Sequence, residues 1–198
     1  FEVVPDVHDG QEMFIALAGK TERPAPRAVA RPRTGRPAPE RLKIVLATAG
    51  SPIATSTYYE RALRQHHDVR TWGPTMDEGT LARWKAVTDD HALKAVGSAD
   101  EKIALLRQLI RPADHPCPKG TPDVRELLQD LPTGWRPDLF IWIDNGPEFL
   151  PLGLPELDCP TACLMADSHT QLDWRLQYAR LFQHVFVLFN RQHIPAFS

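Results

Sequence analysis

The residues with the clearest chemical potential are Asp167, Ser168 and His169, which follow directly on the apolar run Thr161 to Ala166. A carboxylate and an imidazole two positions apart on a loop can converge on one proton. Either can act as a general base, and the carboxylate can orient the imidazole or raise its basicity. The same pair can instead serve the fold, with Asp167 accepting from loop amides and His169 bordering a helix start. Two further loops carry candidate ligand contacts. Ala49-Gly50-Ser51-Pro52 follows one apolar run, and Asp144-Asn145-Gly146-Pro147-Glu148 follows another. Gly50 and Ser51 can turn backbone groups toward a ligand, or Gly50 can simply relieve crowding at a turn. Asp144 and Glu148 are ligand candidates, while Asp144 and Asn145 are also residues that stabilise turns. Trp174 and Tyr178 offer flat apolar faces that either pack or stack on a ligand.

Other chemistries are excluded by pattern. The three cysteines, Cys117, Cys159 and Cys163, make no C-x-x-C pair and no zinc spacing with histidine, so they read as small buried thiols in a reducing compartment. His91 and His115 have no partners at ligand spacing and read as surface histidines. The loop at Gly50 lacks both G-x-G-x-x-G and the Walker lysine, which argues against dinucleotide and P-loop phosphate binding. A net charge of -2 offers no basic footprint for nucleic acid. No apolar run approaches the roughly 20 residues that span a bilayer. The chain opens at Phe1 rather than at methionine, so a missing leader proves nothing.

The elements that must position these residues follow from hydrophobic pattern. Thr161 to Ala166 does not alternate, which predicts a strand buried on both faces. Thr170 with Asp173 predicts a helix start, and Leu172, Leu176, Ala179 and Leu181/Phe182 recur near helical spacing. Val185 to Phe189 is the next strand, so this stretch is a βαβ unit with Asp167, Ser168 and His169 at its carboxyl edge. Leu42 to Thr48 predicts the first strand of the same domain. Thr57 with Glu60 predicts a helix to about Gln65, with Tyr58, Tyr59, Ala62 and Leu63 inward. Asp68 to Trp72 predicts a second strand, and Asp138 to Asp144 a third. Between them, Thr80 to Val87, Asp90 to Val96, Ser98 to Ile110 and Asp123 to Leu131 read as helices, and Pro112 to Lys119 as a loop. Ser98 with Glu101 is a capping box. Thr121-Pro122 is expected to cap the last of these helices, with proline at its first position. Leu150 to Leu157 reads as irregular or as one helical turn.

The fold class is therefore α/β, a Rossmann-like parallel sheet with flanking helices over residues 41–198. At 198 residues, with 42% hydrophobic and 24% charged content, the chain supports one such domain plus an appendage. Phe1 to Val7 and Glu12 to Leu17 flank His8-Asp9-Gly10, a hairpin signal. Residues 21–40 are rich in Pro, Ala and Arg without apolar periodicity and read as a semi-rigid linker.

These pieces resemble known families. The runs R-P-D-L-F-I-W-I-D, C-P-T-A-C-L-M-A-D-S-H and D-W-R-L-Q-Y-A-R-L-F-Q-H-V-F-V-L-F are similar to the amino-terminal half of CgeB-like, spore-maturation type glycosyltransferases. The likeness extends from about Arg41 to Ser198 and is strongest from Arg136 onward. It implies a single half of the two-domain GT-B architecture, binding a sugar or glycan acceptor, with a nucleotide-sugar donor held by a carboxyl-terminal domain missing from this chain. It implies a cytoplasmic transferase, inactive as a fragment, with Asp167 and His169 as base candidates and Gly50, Ser51, Asp144, Glu148 and Trp174 as substrate contacts. Gly146 stands where an Asp-x-Asp would place its second acid, so no catalytic metal is expected, and no cofactor is expected in the chain itself. Residues 1–20 resemble the closing hairpin of a class I methyltransferase, which implies an upstream methyltransferase domain. Two other readings stand beside this one: a non-catalytic Rossmann-like binding or scaffolding module, and a metal-dependent hydrolase using Asp144, Asp167 and His169.

Overall fold

The computed structural model describes residues 2–8, 11–17, 41–50, 54–77, 79–80, 97–166 and 171–187. The chain divides into two compact units, Phe1–Pro37 and Ala38–Ser198. In the first, β1 (Glu2–His8) pairs antiparallel with β2 (Gln11–Leu17), with His8 opposite Gln11, which is the hairpin register expected around Asp9-Gly10.

The second unit is built on one six-stranded sheet. Its strands are β3 (Lys43–Ala47), β4 (Asp68–Gly73), β5 (His115–Pro116), β6 (Leu139–Ile143), β7 (Thr161–Met165) and β8 (His184–Val187). They lie in the order β5-β4-β3-β6-β7-β8, and every neighbouring pair is parallel. Counted within the sheet alone, that is the order 3-2-1-4-5-6 of a doubly wound Rossmann sheet. The α/β, Rossmann-like parallel sheet expected from the sequence is therefore the observed fold. β5 lies inside the stretch expected to be a loop. Two residues of pairing with Trp72 and Gly73 are too short to leave a sequence pattern.

Registered neighbours in a parallel sheet point to the same side, so the two faces can be read off the pairing. One face carries Ile44, Leu46, Val69, Ile143 and Leu164, with Tyr59 and Leu63 of helix α1 (Thr55–Arg64) packed on it. The other carries an aromatic cluster. Trp72 meets Phe140 and Phe149 edge-on at 6.2 and 5.5 Å. Trp142 stacks on Phe182 at 5.9 Å and meets Tyr178 of helix α4 (Leu172–Ala179) edge-on at 4.8 Å. Such offset and edge-on pairs stabilise a core beyond their buried area. β7 is buried along its whole length, as its unbroken apolar run predicted.

Several local expectations are corrected. The N–H of Thr57 donates to the carbonyl of Ala54 at 3.0 Å, so Thr57 lies inside the first turn of α1 and Ala54 is the cap. The earlier start selects Ser56, Tyr59 and Leu63 as the inward stripe and leaves Tyr58 72% exposed. Helix α2 (Ala99–Leu109) does begin with the Ser98–Glu101 capping box. Helix α3 (Val124–Asp130) is capped by Asp123, whose carboxylate accepts from the Arg125 N–H at 2.8 Å, so Pro122 stands before the helix. Leu154–Glu156 forms the single helical turn expected there. On α4 the buried stripe is Trp174, Arg175, Tyr178 and Ala179 rather than one led by Leu172 and Leu176, and Leu181 is exposed. His115 is 7% exposed rather than a surface residue, and its Nδ1 meets the Asp130 carboxylate. The helices expected at Thr80 to Val87 and Asp90 to Val96 lie almost wholly outside the described residues, and so does His91.

Candidate functional site

In an open parallel sheet the chain reverses winding direction at one point, and ligands bind outside the carboxyl ends of the two strands that flank it. Here those strands are β3 and β6, central neighbours whose connections run to opposite edges of the sheet. Their carboxyl ends deliver Thr48-Ala49-Gly50 and Asp144-Asn145-Gly146.

Side-chain alternation decides what each residue does. Asp144 stands two positions after Trp142 and so falls on the α4 face. There its Oδ2 accepts from Nε of Arg175 at 2.6 Å, and its Oδ1 accepts from the backbone N–H of Gly146 at 2.9 Å. The side chains of Arg175 and Asp144 are 4% and 0% exposed. The Arg175 guanidinium also lies over the Trp174 ring, 4.6 Å from its centroid. Asn145 falls the other way. Its Nδ2 donates to Thr48 Oγ1 at 2.7 Å and to the carbonyl of Ile143 at 2.9 Å, which ties the two central strands together across the crevice. Gly146, at φ 83°, takes the left-handed conformation that turns the chain away from β6.

The neighbouring loops close in from the β5 side. The Gly120 N–H donates to the carbonyl of Glu148 at 2.7 Å, and the Leu150 N–H returns to the carbonyl of Gly120 at 2.9 Å. Lys119 donates to Thr80 Oγ1 at 2.7 Å and pairs with Glu148 at 3.2 Å and Asp77 at 3.4 Å. Hydrogen bonds from Thr80, with Lys119 nearby, hold the Asp77 carboxyl down at about 2. At the end of β4, a Cβ on Gly73 would stand 1.9 Å from the carbonyl oxygen of Thr48, so only glycine permits this approach.

The expected site residues divide accordingly. Asp167, His169 and Ser51 lie outside the described residues. β7, which leads to Asp167, ends on the same carboxyl edge as β3 and β6. The Gly50 N–H donates to the carbonyl of Pro74 at 2.8 Å and its carbonyl accepts from Met76 at 3.1 Å, so its backbone groups are engaged within the protein. Asp144 is at the rim but faces inward, with both oxygens bonded. Glu148 is on the rim and half exposed, beside Lys119. Trp174 is 8% exposed, donates its indole N–H to Gln171 at 3.1 Å and has a guanidinium over its ring, which is the setting of a packing residue. Tyr178 likewise donates its hydroxyl to the Pro151 carbonyl within the core.

Four residues that hold the rim, Asn145, Arg175, Lys119 and Thr48, were not legible as site residues. Arg175 alone left a trace: it shares a helical stripe with Tyr178 and Ala179, where a charge needs a buried partner. Two of the three cysteines are buried as expected, while Cys117 is only partly buried. Cys159 and Cys163 are buried, and burial pushes both thiols up to about 12. Among the described residues no group of three or more metal-ligating side chains occurs, and no helix is long and apolar enough to cross a membrane. Compared with protein-family models, with curated proteins and with solved structures, the chain matches none.

Proposed function

We propose that this chain is the acceptor-side domain of a sugar-nucleotide-dependent glycosyltransferase. A sugar or glycan hydroxyl binds at the carboxyl rim of the sheet, while a second domain holds the nucleotide-sugar. The observation that carries this reading is the switch point between β3 and β6, with polar rim residues Thr48, Asn145 and Glu148. The resemblance of residues 41–198 to CgeB-like transferases supplies the reaction class.

In that reaction the acceptor oxygen forms a bond to the sugar's anomeric carbon as the bond from that carbon to the diphosphate breaks. The hydroxyl proton passes to a base, Asp167 or His169, and the nucleoside diphosphate leaves with the electron pair. A base in hydrogen-bond reach is worth about 10²–10⁴-fold in rate. The leaving charge is met by helix amino-termini and basic groups of the second domain rather than by a metal. A cytoplasmic setting and an upstream methyltransferase, to which the β1–β2 hairpin would belong, are parts of the same proposal.

Asp167→Ala in the complete polypeptide tests it. Transfer from a nucleotide-sugar should fall by about 10²–10⁴-fold with the urea unfolding midpoint unchanged. Unchanged turnover removes Asp167 from the base role. A second reading, a non-catalytic binding module, is favoured by one feature: the two described carboxylates of the β6 loop, Asp144 and Glu148, are each paired with a cation. A complete polypeptide that transfers nothing from any nucleotide-sugar supports that module. The metal-dependent hydrolase is disfavoured, because a cation at Asp144 would have to displace Arg175.

A further inference from the structure

We infer that Asn145 is the specificity contact of the rim, its side-chain carbonyl accepting a hydrogen bond from one hydroxyl of the acceptor; this rests on the acceptor-domain reading above. A carboxamide is ordinarily ambiguous, since its oxygen and nitrogen can exchange places. Here both Nδ2 hydrogens have acceptors, Thr48 Oγ1 at 2.7 Å and the Ile143 carbonyl at 2.9 Å. The Thr48 hydroxyl itself donates to the Ala49 carbonyl at 3.3 Å, which leaves its oxygen as the acceptor for Asn145. The network therefore fixes which end is oxygen. Among the described residues no donor reaches Oδ1. Asn145 is half-buried, and its backbone is anchored on both sides: the Asp144 N–H donates to the Leu164 carbonyl at 2.9 Å, and the Gly146 N–H is held by the Asp144 carboxylate.

The result is a rigid acceptor at the switch point whose Oδ1 meets no donor among the described residues. Such a group selects for a hydrogen it can accept, and it rejects an ether, a ketone or a deoxy position in the same place. A site that binds a substrate hydroxyl discriminates against the analogue lacking it because its own polar group is then left unpaired.

The test is an amide NMR titration of the whole chain with methyl glucoside, methyl galactoside, methyl mannoside and methyl N-acetylglucosaminide. One of these should shift the amides of Ala49 and Gly146. Asn145→Ala should weaken that glycoside roughly 3- to 10-fold, the span of one net hydrogen bond. Asn145→Asp, which keeps an acceptor but loses the donors, should weaken it less. Equal weakening by both variants makes Asn145 a strut between β3 and β6 and overturns the inference. No weakening by either overturns it too, while leaving the acceptor reading in place. If no glycoside shifts any amide, the acceptor reading falls and this contact with it. Should Asn145→Ala fail to fold, monodeoxy forms of the bound glycoside put the same question to the wild-type protein. One deoxy position must lose the same 3- to 10-fold, and retention by all of them overturns the inference.

Discussion

Arg175→Met tests the strongest energetic statement that the structure makes. It removes the partner of a carboxylate whose side chain has no exposure, leaving Asp144, among the described residues, with a single N–H donor, that of Gly146. Breaking a buried pair from one side costs about 3–5 kcal/mol, against about 0–1 kcal/mol for an exposed pair. The whole domain is expected to be stable by about 5–15 kcal/mol, so the loss is a large share. With a urea slope near 2 kcal/mol per molar, the midpoint should drop by roughly 1.5–2.5 M. Tryptophan fluorescence is a suitable probe, since Trp142 and Trp174 lie in the same region. Two further variants separate the causes. Asp144→Asn leaves the guanidinium over Trp174 and should still destabilise. Replacing both partners together, Asp144→Leu with Arg175→Met, should cost much less than the sum of the single changes, because no charge is then left buried alone. A loss below about 1 kcal/mol for Arg175→Met, or strict additivity in the cycle, would refute the buried-pair argument.

Gly73→Ala would force a methyl group against the Thr48 carbonyl and should cost at least ~3 kcal/mol, the upper end for overpacking, in the same unfolding assay. Asp114 gives a pH dependence: partial burial raises its carboxyl, but the Thr71 amide and the Arg64 guanidinium together outweigh that and hold it below its ordinary value. A lowered folded value means stability present above the unfolded value of about 4 and lost as pH falls through the folded one. The stability gap between wild type and Asp114→Asn should therefore be widest near neutral pH and close under acid, as measured by urea midpoints across pH. Cys159 and Cys163 should resist iodoacetamide at pH 8 until urea unfolds the domain, followed by mass spectrometry, because their buried thiols are pushed up to about 12.

The sheet was legible because burial on both faces writes itself into composition. β7 and β6 are apolar runs bounded by turn residues, and no other element would accept them. β5 was not legible, since its pairing is set by the network of Asp114 with Thr71 and Arg64, groups distant in sequence. The inward face of α4 was misjudged for a similar reason. Hydrophobic periodicity assigns leucines to the core, while the actual stripe includes an arginine whose partner, Asp144, lies just past the end of β6, 31 residues away in sequence. The rim itself was predictable, because strand ends in a parallel sheet share an edge. The roles on it were not. Whether Asp144 or Asn145 faces outward depends on one step of alternation and on a helix packed behind it, so the acid turned inward and the amide took the crevice. His115 was misread because Asp130, its partner, is brought close only by the α3 packing.

The proposed acceptor site at the β3/β6 rim can be probed by covalent labelling. A diazirine-bearing methyl glycoside, photolysed on the intact protein and mapped by peptide mass spectrometry, addresses it most directly. Labels are expected on the peptides that contain Thr48 to Gly50 and Asn145 to Glu148, suppressed by excess unlabelled glycoside. Labels concentrated at the opposite edge of the sheet, around Trp135 and Asp138, would contradict it.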